Sequence, residues 1–184
     1  YFTRDAAVTI GNHALICKMA NKVRMRESLI MQAIYKGSGE FACGIIDAYD
    51  HSPLNPNLFM EGGDILIARE DVLLIGNGIR TSSQGIDFLA SRLSAIAPQG
   101  RRHIIVQQLP HTPESFIHLD MVFTMLDRNK CMVFEPLILG DNQYQTIHII
   151  IDNGKIVKIS SVANMLTALK GLGMDLELMD ISLA

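Results

Sequence analysis

Phe59-Met60-Glu61-Gly62-Gly63-Asp64 runs straight into Ile65-Leu66-Ile67. Two acids flank a glycine pair, and an apolar, strand-like run follows at once. Glycine opens backbone conformations closed to other residues and lets a neighbouring group approach closely. The pattern therefore predicts a turn that aims Glu61 into a cleft at the mouth of a buried strand. Working outward, related pieces lie on both sides, Phe2-Thr3-Arg4-Asp5 and His118-Leu119-Asp120.

The segments between these pieces repeat one order of elements. Residues 6–10 and 13–17 read as strands around the turn Gly11-Asn12. Residues 22–35 follow with Leu29, Ile30, Ala33 and Ile34 at helical spacing. Gly37-Ser38-Gly39 ends that helix, and 41–46 read as a strand. Residues 50–57 form a loop rich in Pro and Asn. After Asp64 the unit returns, with strands at 65–67 and 72–75 around Arg69-Glu70-Asp71. Gly76-Asn77-Gly78-Ile79-Arg80 comes next. Thr81-Ser82-Ser83-Gln84 has capping-box spacing and opens a helix to about 97 with Ile86, Leu89, Ala90 and Leu93 on one face. Pro98 and Gly100 stop it, and 103–109 close the unit. In the third unit, 121–125 and 131–134 read as strands, and a hairpin at 146–151 and 155–159 is inserted. A helix over 161–172 and a strand over 175–181 complete it.

Three β-β-α-β units, about 1–50, 58–110 and 117–184, thus recur at a period of roughly 57 residues, the signature of a repeat architecture. Each unit leaves an apolar sheet face that only a neighbouring unit can cover. Arrayed around an axis, the units bring their opening residues Asp5, Asp64 and Asp120 to a common centre. The fold class expected is α/β.

Composition sets outer limits. The chain has 184 residues, 48% of them hydrophobic, and a net charge of -3. That is enough for one globular domain with a real core. The charge balance and scattered charges argue against a nucleic-acid or anionic-membrane partner. No apolar stretch reaches the roughly 18 residues of a membrane span. Cys17, Cys43 and Cys131 sit in apolar segments without close pairing, which favours reduced thiols, a cytoplasmic setting and no zinc. Tyr1 directly precedes the motif at Phe2, so the chain is expected to be part of a longer protein.

Taken together, Phe2-Thr3-Arg4-Asp5, Glu61-Gly62-Gly63-Asp64 and His118 to Met125 resemble the three signature segments of the arginine deiminases, within the guanidino-group-modifying (amidinotransferase) superfamily. Gly76 to Ser82 resembles the family segment that carries a substrate-binding arginine. The likeness covers most of the chain. It implies a pentein-type α/β propeller of five β-β-α-β blades, of which this chain would supply three. It also implies hydrolysis of L-arginine to citrulline and ammonia, with no cofactor and no metal.

The residues suit that chemistry. A guanidinium is planar, permanently charged and bristles with N–H donors, so gripping one calls for carboxylates in its plane. The resemblance implies that Asp5 and Asp120 hold the guanidinium nitrogens, while Glu61 orients it and takes part in proton transfer. Phe2 would lie along the alkyl stem or over the cation. His118 sits two residues before Asp120, and in a strand both would face one pocket. A histidine there can deliver a proton to departing ammonia and then activate water. His118, Asp120 and Glu61 also offer three ligands to a metal, the rival reading of the same trio. Arg80, after its Gly-x-Gly step, and Arg24, in preference to Arg26, would clamp the α-carboxylate. His13, His51, His103, His111 and His148 lack partners in sequence and read as surface or core.

The family attacks the guanidinium carbon with a cysteine thiolate, and the resemblance puts that cysteine in a later repeat. None of the three cysteines here matches it. The chain as given is therefore expected to grip substrate without turnover. Its open sheet edges call for the rest of the polypeptide or for a homo-oligomeric partner. Alternatives are an amidinotransferase, an agmatine-type deiminase or an inactive arginine-binding fragment.

Overall fold

The run Ile65-Leu66-Ile67 opens a strand, and the same local recipe is used three times. The computed structural model describes residues 2–51, 55–96, 99–140 and 144–180. In the first unit a turn of helix, α1 (Thr3–Ala6), leads into β1 (Ala7–Ile10) and β2 (His13–Ile16), followed by α2 (Met25–Gly37) and β3 (Gly44–Asp47). β1 runs antiparallel to β2, and β3 parallel to β2. The second unit has β4 (Ile65–Arg69), β5 (Val72–Asn77), α3 (Ser83–Ile96) and β6 (Arg101–Gln108) with the same pairing senses. The third has β7 (Phe123–Asp127), β8 (Lys130–Val133), the short α4 (Glu135–Ile138), the inserted β9 (Thr146–Asp152) and β10 (Lys155–Val162), then α5 (Met165–Gly171) and β11 (Glu177–Asp180). β7 again runs antiparallel to β8, and β11 parallel to it.

The inserted hairpin joins the sheet of the second unit rather than its own. β9 pairs antiparallel with β6, which gives the order β10-β9-β6-β5-β4. Asn153 and Gly154, both at positive φ, form the tight two-residue turn that suits the twist of the hairpin strands.

Alternation along the central strands builds two cores. Leu73, Ile75, Ile104 and Val106 face Ile86, Leu89 and Leu93 of α3. Val72, Leu74 and Ile105 face the other way, onto Leu119, Val122, Phe123, Met165 and Leu169. β5 is thus buried on both faces and reads as a continuous apolar run for that reason. Among the described residues, no helix is long and apolar enough to cross a membrane.

Several sequence expectations shift. The stripe Leu29, Ile30 and Ile34 on α2 is exposed, at 56%, 57% and 38%, and Ser28 is the residue of α2 that is buried. Spacing showed a helix but not what would cover it. The cap of α3 is Ser82, whose Oγ accepts the Gly85 N–H at 3.1 Å, one residue later than the capping-box pattern places it. β3 begins at Gly44, where the His13 ring fills the space a Cβ would need, instead of at 41. β10 continues to Val162 through its pairing with Thr146, so α5 starts later than expected, capped by the Asn164 side chain. Met121 lies in a 3-10 turn (Leu119–Met121), not in a strand. The expected helix end at 97, the stop at Pro98, part of the 50–57 loop and the strand end at 181 fall outside the described residues.

Candidate active site

The turn after Glu61 explains its glycines by contact. A Cβ on Gly62 would collide with the backbone carbonyl of Arg4. One on Gly63 would lie 2.8 Å from Nδ1 of His118 and 3.0 Å from Oδ1 of Asp5. The glycine pair therefore lets α1 and the His118 segment close onto the Gly62–Asp64 turn, and Glu61 is fully buried at its start.

Glu61 is the hub. Its Oε1 accepts the Ala20 N–H at 3.1 Å and lies 3.5 Å from Nη1 of Arg80. Its Oε2 accepts from Nη1 of Arg24 at 3.1 Å and is 3.1 Å from Nε2 of His118. Nη1 of Arg24 also reaches Oδ2 of Asp5 at 2.9 Å. The other edge of this guanidinium is forked onto Glu27, at 3.0 and 2.8 Å. A 3-10 turn over Lys22–Arg24, capped by the Asn21 side chain, sets Arg24 at the start of α2. Asp120 stands in the 3-10 turn Leu119–Met121, half-buried, with Nε of Arg4 at 4.0 Å. Arg4 itself donates to the Ile65 carbonyl at 2.7 Å.

Asp5, Arg24, Arg80, His118 and Asp120 line one cavity of about 340 Å³ together with Phe2, Ile117 and Met121. Phe2 is 67% exposed at its rim, and Arg26 is exposed elsewhere on α2.

Burial and charge tune the ionisable groups against each other. Burial alone would raise the Glu61 pKa, but the His118 hydrogen bond, Arg80 and the Ala20 N–H outweigh it and hold the carboxyl below its ordinary value. Burial alone would lower His118, but the Glu61 bond, Asp64 and Asp5 raise it above 6.5. Asp120 is raised, chiefly by burial. The hydrogen bond thus pairs a carboxyl biased towards its ionised form with an imidazole biased towards its protonated form. Asp5, Glu61 and His118 each bring a ligand-capable atom within 4.8 Å of the others, yet the Arg24 guanidinium already bridges the two carboxylates. Cys17 and Cys131 are buried thiols. Burial pushes the Cys17 pKa far up, with Glu61 and Asp5 adding to it, and burial pushes Cys131 up to about 11. Neither is a ready thiolate.

A profile of the arginine deiminase family matches residues 1–182. The chain belongs to the arginine deiminase family. The chain is 34% identical over 185 residues to an arginine deiminase of Bacillus thuringiensis, covering 99% of this chain and 42% of that protein. It is 35% identical over 157 residues to arginine deiminase 1 of Staphylococcus epidermidis, covering 84% and 37%. It therefore spans about two fifths of the length of these curated relatives. Among solved structures, the N-terminal domain of ArgZ, a cyanobacterial arginine dihydrolase bound to substrate, superposes with TM-score 0.58 at 24% identity over 74% of this chain and 44% of that one. The amidinotransferase SxtG of Microseira wollei gives 0.55 at 17% identity, over 71% and 41%. These likenesses show the fold, and they agree with the α/β propeller-type architecture of repeated β-β-α-β units.

Within this family member, the structure places Asp5, His118, Asp120, Arg24 and Arg80 on the cavity wall, with Phe2 at its mouth, and Glu61 fully buried next to them, bonded to Arg24 and His118. His118 and Asp120 share the cavity through a 3-10 turn, not through the strand periodicity expected of them. Gly76 makes room for the Asp64 carboxyl, and Gly78 for Leu109. Thr81, read as a helix cap, instead accepts the Glu61 N–H at 3.2 Å. Glu27 escaped sequence reading, and Arg4, Asp64 and Thr81, each named there, carry contacts that reading did not assign: Arg4 to the Ile65 carbonyl, Asp64 to the Leu119 N–H and Thr81 to the Glu61 N–H. Only the spacing of Arg24 and Glu27, three apart on a helix, could have flagged one of them. His103 and His148, which lack partners in sequence, face each other across β6 and β9, with Nδ1 to Nε2 at 2.9 Å.

Proposed function

We propose that the chain carries the substrate grip and proton-transfer groups of an enzyme that hydrolyses L-arginine to citrulline and ammonia. The observation that carries this reading is the clustering of Asp5, Glu61 and His118, from three separate units, beside the cavity that Asp5, His118 and Asp120 line. Asp5 and Asp120 hold the guanidinium nitrogens, and Glu61 orients the group through charge-assisted bonds. The Arg24 guanidinium now bonded to Asp5 and Glu61 gives way to the substrate's own, and turns with Arg80 to the α-carboxylate. Phe2 covers the alkyl stem. His118, protonated against Glu61, gives its proton to the departing ammonia, then takes one from the attacking water. A cysteine thiolate from sequence outside this chain forms and releases the covalent intermediate. Residues 1–184 form a partial catalytic domain of three repeats, about 1–50, 58–110 and 117–184. It works in the cytoplasm, completed by the rest of the polypeptide or by a homo-oligomeric partner.

Calorimetric titration with L-arginine and with agmatine tests the reading. Arginine should bind at least tenfold tighter, because agmatine has no carboxylate for Arg24 and Arg80. Equal binding, or tighter binding of agmatine, would favour the agmatine-type alternative.

A further inference from the structure

Asp64 is a buried carboxyl without a role in the chemistry above. It is wholly buried, and its surroundings are built around it. Its Oδ1 accepts the backbone N–H of Leu119 at 2.9 Å, and Leu119 is the residue between His118 and Asp120. Gly76 lacks a side chain where the Asp64 carboxyl lies over its Cα. The Thr81 side chain stands beside the carboxyl while its Oγ1 accepts the Glu61 N–H, and Thr81 directly follows Arg80. The second oxygen, Oδ2, has no hydrogen-bond partner of good geometry among the described residues. A buried polar oxygen left in that state is costly, so its retention calls for a reason.

We infer that Asp64 is a positioning residue: its carboxyl holds the Leu119 backbone so that His118 and Asp120, on either side, face the cavity in register with Glu61 and Arg80. One short chain of contacts, Leu119–Asp64–Thr81–Glu61, ties together three segments distant in sequence. The link to arginine recognition rests on the reading proposed above; the link to the His118–Asp120 turn does not. The titratable groups facing Asp64 are Glu61, His118 and the Cys17 thiol. Burial raises its carboxyl to about 7, so the bond to Leu119 changes character within an accessible pH range.

The test follows the Leu119 amide proton by NMR from pH 5 to 9 in the unaltered chain, Asp64→Asn and Thr81→Val. In the unaltered protein that proton should shift with a midpoint near neutrality. In Asp64→Asn, which keeps an acceptor but cannot ionise, that shift should be lost apart from a small contribution from the neighbouring His118. In Thr81→Val the midpoint should move up, because the hydroxyl that favours the carboxylate is gone. A flat Leu119 signal in the unaltered chain, or an identical curve in Asp64→Asn, overturns the inference. L-arginine titrations on the same samples address the underlying reading separately. Asp64→Ala should bind more than tenfold weaker, and Asp64→Asn should recover most of that loss. Asp64→Ala binding as tightly as the unaltered chain contradicts the positioning role. If Asp64→Ala does not fold, the amide curves decide. If the unaltered chain binds no arginine while Leu119 titrates as expected, the arginine reading fails and the positioning role stands.

Discussion

A single pair of residues, Glu61 and Asp64, shows how far environment separates two acids three positions apart. Glu61 is surrounded by donors and cations, and stays ionised. Asp64 has one backbone donor and a bare oxygen, and its pKa rises to about 7 from an ordinary 3.8. Between those two values the unfolded chain has lost the Asp64 proton while the folded one keeps it. Stability therefore falls as pH rises through that window, and levels off above it. His118, whose folded value is raised, adds a second loss as pH rises past its unfolded value, common to both proteins. Asp64→Asn has no proton to lose, so at pH 8 it should be more stable than the unaltered chain by up to about 4 kcal/mol. The gain should vanish near pH 4. Denaturant melts at the two pH values check this, and equal stability at pH 8 would contradict it. The sequence showed Glu61 as an acid aimed into a cleft, because a glycine pair follows it. It could not show the role of Asp64, because Leu119 and Gly76 reach it only through the fold.

At the scale of elements, the helices of the first two units behave differently although both carry apolar residues at helical spacing. Leu89 of α3 is fully buried between sheet and helix, while Leu29 of α2 is 56% exposed. Leu89→Ala should cost about 2–5 kcal/mol, the usual range for a buried leucine. Leu29→Gln should cost within about 0.5 kcal/mol. Urea unfolding of the two variants measures both, and a comparable loss from Leu29→Gln would show that α2 is covered in solution. Helix and strand existence was legible because periodicity is local. The partner of the β9–β10 hairpin was not, since a hairpin's own sequence fixes its turn and register but not which sheet edge receives it. The same limit hid the His103–His148 pair, which exists only because β9 lies against β6.

For the whole molecule, three units share the same pairing senses, and all three contribute to one hollow, lined by Arg4, Ile67 and Asp120, while the first two alone form another, lined by Arg4, Thr9 and Ile67. Ile67 on β4 and Leu126 on β7 remain 41% and 47% exposed, and sheet edges stay open, a standing invitation to pairing. Purified alone, the chain should elute larger than its 20.4 kDa mass; a monomer at all concentrations by light scattering would contradict that. The repeat was readable from three acids at similar spacing. That Asp5 and Asp120 would line one cavity while Asp64 is buried against the Leu119 amide instead was not, because it depends on backbone turns that the motifs leave unspecified. The central claim is that Asp5, Glu61, His118 and Asp120 converge to hold a guanidinium. Its most direct test is a crystal structure of the chain grown with L-arginine. The account predicts a guanidinium within hydrogen-bond distance of Asp5, Glu61 and Asp120, with Arg24 turned away from Asp5 towards the carboxylate. Arginine bound elsewhere, with the Arg24–Asp5 bond intact, would contradict it.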